Sequence, residues 1–443
     1  MLRILFLISF IFLTGLPAQA SVPQLKEIST EDDIKSLLLA NHSNPLISVS
    51  IAFKTGSLND PEGKEGTAYM LSGLLNEGAG KLKATAFQQA LKEKAIEFSA
   101  DATQDMFYLK LQTPSAHKET AFSLLGMMLS DLRLDRDAIN RVRSQILAIH
   151  KMEEESPKEI AYKSLRKELF PTSSLGNKVS GTPKSIASIR KKDLSSFLKN
   201  NFAKDNIFIG VSGDITAEEL KVLLSKSLKD LPETSSSSPA KATSPTFSRE
   251  VNKVAFPVPQ SSIFFAMSGL NRNDKDFYSL YVLNHILGGS VLSSRLGKEI
   301  REKQGLVYGI NTWLDINSYA PLWLGYAATG TENTAKVISL IQKEINDIAE
   351  NGVTGAELSE AKTNLTGAFP LRFTSSSGMS DMLMVIQAYN LGNDYLNRRN
   401  GYISAVTSED IKRVAKRLLQ ADKLSFTVVG EEKPVPSNIG ESK

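Results

Sequence analysis

Two stretches of this chain, 217 residues apart, carry the same order of hydrophobic and polar positions. In the first, Ile186, Ile189, Asp193, Leu194 and Phe197 lead to Phe202, then to Ile207, Ile209, Val211 and Gly213. In the second, Ile403, Val406, Asp410, Ile411 and Val414 lead to Leu419, then to Leu424, Phe426, Val428 and Gly430. Apolar residues three and four apart predict a short helix, and apolar residues two apart predict a strand with one buried face. Ten positions match without a gap, so the chain is read as an internal duplication. Upstream, Tyr69-Met70-Leu71 and Tyr281-Val282-Leu283 begin comparable helices at a spacing of 212, which implies small insertions between the copies.

Between the copies, residues 233–248 contain Ser235-Ser236-Ser237-Ser238, Pro239, Ser244 and Pro245. So little apolar material predicts a flexible or semi-extended linker, exposed and mobile. The domains are therefore placed at 21–232 and 249–434, with a tail at 435–443. Within them, strands are expected at 46–54 and 106–113 and a long helix at 138–155. Strands and helices mix without the regular alternation of a doubly wound sheet, so the fold class is α+β, two similar domains in tandem.

The start of the chain adds a destination. Arg3 precedes an uncharged apolar run at 4–16, and Pro17 breaks it before Ala18-Gln19-Ala20. This is the pattern of a signal peptide at 1–20, too short for the roughly 20 residues that span a bilayer. Export is expected, to a bacterial periplasm, with no membrane association after cleavage. The absence of cysteine removes disulfides, thiolate zinc sites and a cysteine nucleophile from consideration. A net charge of +4, spread without basic blocks, gives no nucleic-acid footprint. At 443 residues the chain exceeds what one core usually holds.

Further blocks carry a likeness to a known group. They are Gly56-Ser57-Leu58-Asn59-Asp60 with Gly66-Thr67-Ala68-Tyr69, Gly181-Thr182-Pro183, and Leu287-Gly288-Gly289. Most specific is Glu299-Ile300-Arg301-Glu302-Lys303 leading to Gly305-Leu306-Val307-Tyr308. In these the chain resembles the pitrilysin or insulinase superfamily, in its bacterial branch akin to the mitochondrial processing peptidase. The resemblance implies a pair of domains, each an antiparallel-rich sheet with helices packed on it. Together they form one half of a clam shell around a peptide-digesting chamber.

Active members carry H-x-x-E-H on a helix, where two histidines one turn apart hold zinc and the glutamate activates the bound water. A glutamate about 75 residues on completes the ligand set in those members. Aligned on the glycine blocks, the corresponding positions are Tyr69, Ser72 and Gly73, with Ile149 or His150 at the distal place. None suits zinc, so no metal or other cofactor is expected in this chain. His150 and Glu154 could share a helix face, but a solvated or capping histidine is the simpler reading. Glu153-Glu154-Glu155 reads likewise as a solvated face near a helix end.

Arg301 and Tyr308, seven apart across Gly305, match a pair that in active relatives hydrogen-bonds the scissile carbonyl. Read from spacing alone, they are a cation near a helix end and a strand aromatic. The resemblance implies a division of labour, in which a homologous partner chain with H-x-x-E-H holds zinc and this chain donates Arg301 and Tyr308. Two alternatives stand beside it. One is a purely structural member of the same fold. The other is a homodimer that captures extended peptides at a sheet edge within 98–113.

Overall fold

The computed structural model describes residues 25–236, 241–290, 293–420 and 423–430. The expected signal peptide at 1–20 and tail at 435–443 lie outside the described residues. The described part is α+β, with two mixed sheets and helices packed on their faces. The first sheet contains β1 (Lys26–Ser29), β2 (Lys35–Ala40), β3 (Leu46–Phe53), β4 (Glu97–Ala102), β5 (Phe107–Pro114) and β6 (Ile207–Gly213), in the order β1-β2-β6-β3-β5-β4. The second contains β7 (Val251–Ala255), β8 (Gln260–Ser268), β9 (Val307–Asp315), β10 (Leu322–Gly330) and β11 (Leu424–Gly430), in the order β9-β10-β8-β11-β7.

The duplication is visible in the pairing. Strand β6 runs parallel to β2 and antiparallel to β3, and its repeat, β11, runs parallel to β7 and antiparallel to β8. Each sheet is thus antiparallel apart from one parallel pair. Ahead of each repeat strand the sequence predicts one short helix, where the structure has two. The first copy breaks at Ile189 between Pro183–Ser188 and α4 (Lys191–Asn201), the second at Val406 between Tyr395–Ala405 and α8 (Ser408–Leu418). The cause is a repeated cap. The Asp193 carboxylate accepts the Arg190 N–H at 2.8 Å and the Asp410 carboxylate accepts the Thr407 N–H at 3.0 Å, so each second helix starts afresh.

The alternation in β3 explains how layers form on both faces. Ile47, Val49, Ile51 and Phe53 enter one hydrophobic core with Met70, Leu74, Phe107 and Phe122. Ser48 and Ser50 fall on the opposite face. That face is covered by a helix from the other half, α7 (Ser376–Ala388). Its Met379, Leu383 and Ile386 pack on Leu37 and Leu39 of β2, and Ser380 Oγ lies 2.9 Å from Ser50 Oγ. Gln387 fastens the seam, accepting the Ile209 N–H at 2.5 Å and donating to the Lys35 carbonyl at 2.7 Å. Glycine is required at 210, because a Cβ there would stand 2.2 Å from the Ser380 carbonyl oxygen.

The exchange is reciprocal. Helix α3 (Pro157–Leu169), from the first half, lays Ala161, Leu165 and Leu169 on Phe264, Leu322, Leu324 and Val429 of the second sheet. Asn252 donates to Ser164 Oγ at 3.0 Å. Each half therefore completes the other's sheet. The described residues of the linker form no helix or strand and none is buried, but backbone bonds seat them on both halves. The Thr243 N–H donates to the Tyr319 carbonyl at 3.0 Å and the Thr246 N–H to the Leu169 carbonyl at 2.8 Å, while Phe247 packs against the α3 cluster. The strap spans elements of both halves because one aromatic residue and a few backbone donors are enough to seat it.

Candidate functional site

Helix α1 (Thr67–Ser72) carries the positions that align with the metal motif. The Asp60 carboxylate fixes its start, accepting from the Gly66 N–H at 2.7 Å and the Ala68 N–H at 2.8 Å. Tyr69 is half-buried, and burial, with Asp101 and Glu153 nearby, pushes its hydroxyl above the usual phenol range. Ser72 turns its hydroxyl back to the Tyr69 carbonyl at 2.7 Å. At Gly73 an added Cβ would stand 3.1 Å from a methyl of Val142, on helix α2 (Arg136–Glu154). Ile149, also on α2, is 40% exposed.

These residues do not fit zinc. One is a phenol in a field of carboxylates, one is an internally bonded hydroxyl, one has no side chain, and the distal position is an alkyl group. Among the described residues no cluster of three His, Cys, Asp or Glu could hold a metal ion.

Two neighbouring residues differ from their expected roles. His150 is not solvated: it is buried, with Nε2 3.1 Å from the Ser180 carbonyl oxygen. Helix α2 packs there against the 176–180 segment, which removes that face from water. Glu153 pairs with Lys178 at 2.5 Å and faces a cleft.

The cleft, of about 490 Å³, lies between the halves. Tyr69, Tyr108, Glu153 and Tyr162 line it from the first half, Asp315 and Tyr389 from the second. Arg166 sits at its base, 4% exposed. It donates to Gln104 Oε1 at 2.6 Å, to the Leu175 carbonyl at 2.6 Å and to Asp315 at 3.2 Å. Burial raises the Asp315 carboxyl, and the Arg166 guanidinium beside it pulls the other way. Asp105 accepts the Ser318 N–H at 2.8 Å, and the Tyr389 hydroxyl donates to the Ile316 carbonyl at 3.3 Å. Burial, reinforced by Asp105, raises the Tyr389 hydroxyl to about 12. Sequence reasoning missed this network. Apart from Leu175, 9 residues from Arg166, its partners are 62 to 213 residues apart and no local pattern joins them.

Arg301 and Tyr308 are not among the residues lining that cleft. Arg301 lies in a π-helical turn, Gly297–Glu302, and Tyr308 lies on β9, an edge strand. Between them Gly305 takes φ +64°, the left-handed conformation that suits glycine. At Tyr308 the pairing of β9 with β10 slips. Val307 faces Thr329 and Gly309 faces Ala328, so Tyr308 is an extra, bulged residue. The bulge turns it outward, leaving it 70% exposed. Among the described residues neither the Arg301 nor the Tyr308 side chain has a hydrogen-bond or ion-pair partner. One donor cation and one donor hydroxyl are therefore free to engage an acceptor outside the chain.

Two family descriptions match the sequence. "Insulinase (Peptidase family M16)" matches residues 35–183, and "Peptidase M16 inactive domain" matches residues 188–365. A Helicobacter pylori protein named non-peptidase homolog YmxG is 25% identical, covering 97% of this chain and 99% of its own length. The beta subunit of the mitochondrial processing peptidase of Blastocladiella emersonii is 23% identical, covering 90% and 88%. A solved Pseudomonas fluorescens structure, described as a peptidase M16 inactive domain, superposes with a TM-score of 0.87. It is 26% identical, and the match covers 93% of this chain and 100% of that one. A Helicobacter pylori structure described as a protease, 18% identical over 93% of this chain and 100% of its own, shares the fold with a TM-score of 0.81.

Proposed function

We propose that this chain, which belongs to the M16 insulinase family and is a non-peptidase member of it, donates Arg301 and Tyr308 to a peptide-cleaving site whose zinc is held by a homologous partner chain. The observation that carries this reading is the contrast between the two candidate positions. The metal positions on α1 offer nothing to a zinc ion, whereas the half-buried Arg301 and the outward-facing Tyr308 have no partners in the described chain. In a shared chamber the arginine and the phenol would hydrogen-bond the scissile carbonyl and stabilise the oxyanion that forms on it. Export to the periplasm, through the segment at 1–20, belongs to the same proposal.

A second reading has an observation of its own. Strand β4 is an edge strand, and Asp101, near its end, lies close to Tyr69 of the cleft. A homodimer could capture extended peptides by adding a strand there, without cleaving them. Purification of the untagged protein from its native host separates the two. A co-purifying homologous chain with H-x-x-E-H and about one zinc per pair supports the donated site. A metal-free homodimer with no companion overturns it in favour of peptide capture.

A further inference from the structure

In the segment joining Arg301 to Tyr308, Leu306 is held through both its N–H and its carbonyl. The Leu306 N–H donates to the Ile300 carbonyl at 3.1 Å, next to Arg301. The Leu306 carbonyl accepts from Thr329 Oγ1 at 2.5 Å. Thr329 is fully buried on β10 and stands across the ladder from Val307, the residue just before the bulge. Leu306 therefore joins the π-turn through its N–H and β10 through its carbonyl, where the Thr329 hydroxyl is the donor.

We propose that Thr329 is a positioning residue, whose hydroxyl sets the direction in which Tyr308 is presented. Thr329 itself is fully buried, so its hydroxyl acts through the loop and not by contact with substrate. Without its hydroxyl the Leu306 carbonyl loses its donor, and a carbonyl left unpaired is driven to find water. The cheapest route is a shift of the loop, which carries Tyr308 with it because only Val307 intervenes. Catalytic donors are sensitive to such shifts, and displacement by roughly 1 Å can cost about 10²-fold in rate. The catalytic half of this inference rests on the donated-site reading. The structural half does not.

The test uses the full-length chain labelled with 3-fluorotyrosine, observed by fluorine NMR. The chain has 11 tyrosines, and Tyr308→Phe identifies the resonance of interest by its loss. Thr329→Val, of nearly the same shape, should move the Tyr308 resonance and leave the others in place. Thr329→Ser, which keeps the hydroxyl, should return it to the wild-type position. A Tyr308 resonance unmoved in Thr329→Val, or displaced equally in Thr329→Ser, overturns the proposal.

In complex with the zinc-bearing partner, Thr329→Val should lower kcat by about 10²-fold with KM little changed, and Thr329→Ser should restore it. A fall with Tyr308→Phe but none with Thr329→Val rejects the catalytic importance of positioning. Normal cleavage with Tyr308→Phe, while Thr329→Val still moves the resonance, sinks the donated site and leaves the positioning intact.

Discussion

At the end of α1 the available groups have turned inward. Ser72 bonds its own helix, Val142 approaches to 3.1 Å from where a side chain at Gly73 would begin, and Tyr69 sits half-buried among carboxylates. Around Arg301 and Tyr308 the backbone does the opposite. A π-turn, a left-handed glycine and a β-bulge follow one another, and the half-buried Arg301 and the exposed Tyr308 have no partners in the described chain. Packing of the first kind stabilises a fold and needs no other explanation. Irregular backbone of the second kind costs stability and concentrates where side chains must be aimed. The two regions thus differ in kind. In one the side chains are taken up by packing, and in the other the backbone is irregular and the two donors are left without partners in the described chain.

The largest predicted effect tests whether the halves can be treated as independent at all. Leu165 comes from the first half but is buried against the second sheet. Leu165→Ala should cost about 2–5 kcal/mol of stability. In hydrogen exchange the lost protection should appear first in β8 and β11, more than 90 residues downstream of the substitution. Loss confined to the 138–228 region would mean that each half stands alone.

A second prediction probes how firmly the metal region is closed. Tyr69→His, Ser72→Glu, Gly73→His and Ile149→Glu together restore every ligand type. The variant should still hold far less than one zinc per chain, and it should lose about 1–3 kcal/mol because the imidazole at 73 has to displace Val142. Stoichiometric zinc by elemental analysis, with unchanged thermal stability, would show that only the ligands and not the packing had changed.

A third, smaller effect concerns the scaffold beneath the donor segment. Arg295 clasps Glu357, at the start of helix α6 (Gly355–Gly367), at 2.5 and 2.9 Å. Burial pushes the Glu357 carboxyl up, but the Arg295 bonds and the Thr354 cap outweigh it and bring it down to about 2. A depressed carboxyl stabilises the folded state above its ordinary titration range, and that contribution is lost as pH falls toward about 2. Glu357→Gln should therefore be less stable than wild type at neutral pH, by about 1 kcal/mol given its partial exposure. The difference should vanish in acid. A stability gap that persists unchanged to pH 2.5 would mean that ionisation of Glu357 contributes nothing.

Much of this was legible in the sequence because it is local. The repeat strands at 207–213 and 424–430 follow a two-residue period, the long helix at 136–154 follows a helical one, and Gly305 marks the turn ahead of Tyr308. What escaped is non-local. Leu165 and Leu383 each announce a buried helix face, but nothing in their spacing says that the surface covered belongs to the other half. The bulge at Tyr308 arises from how β10 pairs with β9, which a single strand's pattern does not record. His150 and Glu153 looked solvated because the segment that covers them is brought there by the fold. The Arg166 network is assembled from separate elements in the same way.

The comparison between the closed and the open region reduces to one rate. In the assembled complex with a zinc-bearing partner, Tyr308→Phe should leave assembly and zinc content unchanged. Its kcat for peptide cleavage should fall by about 10²–10³-fold, the usual loss for one donor aimed at a developing oxyanion. Arg301→Ala should do the same. Assembled complexes of both variants cleaving at the wild-type rate would contradict the account.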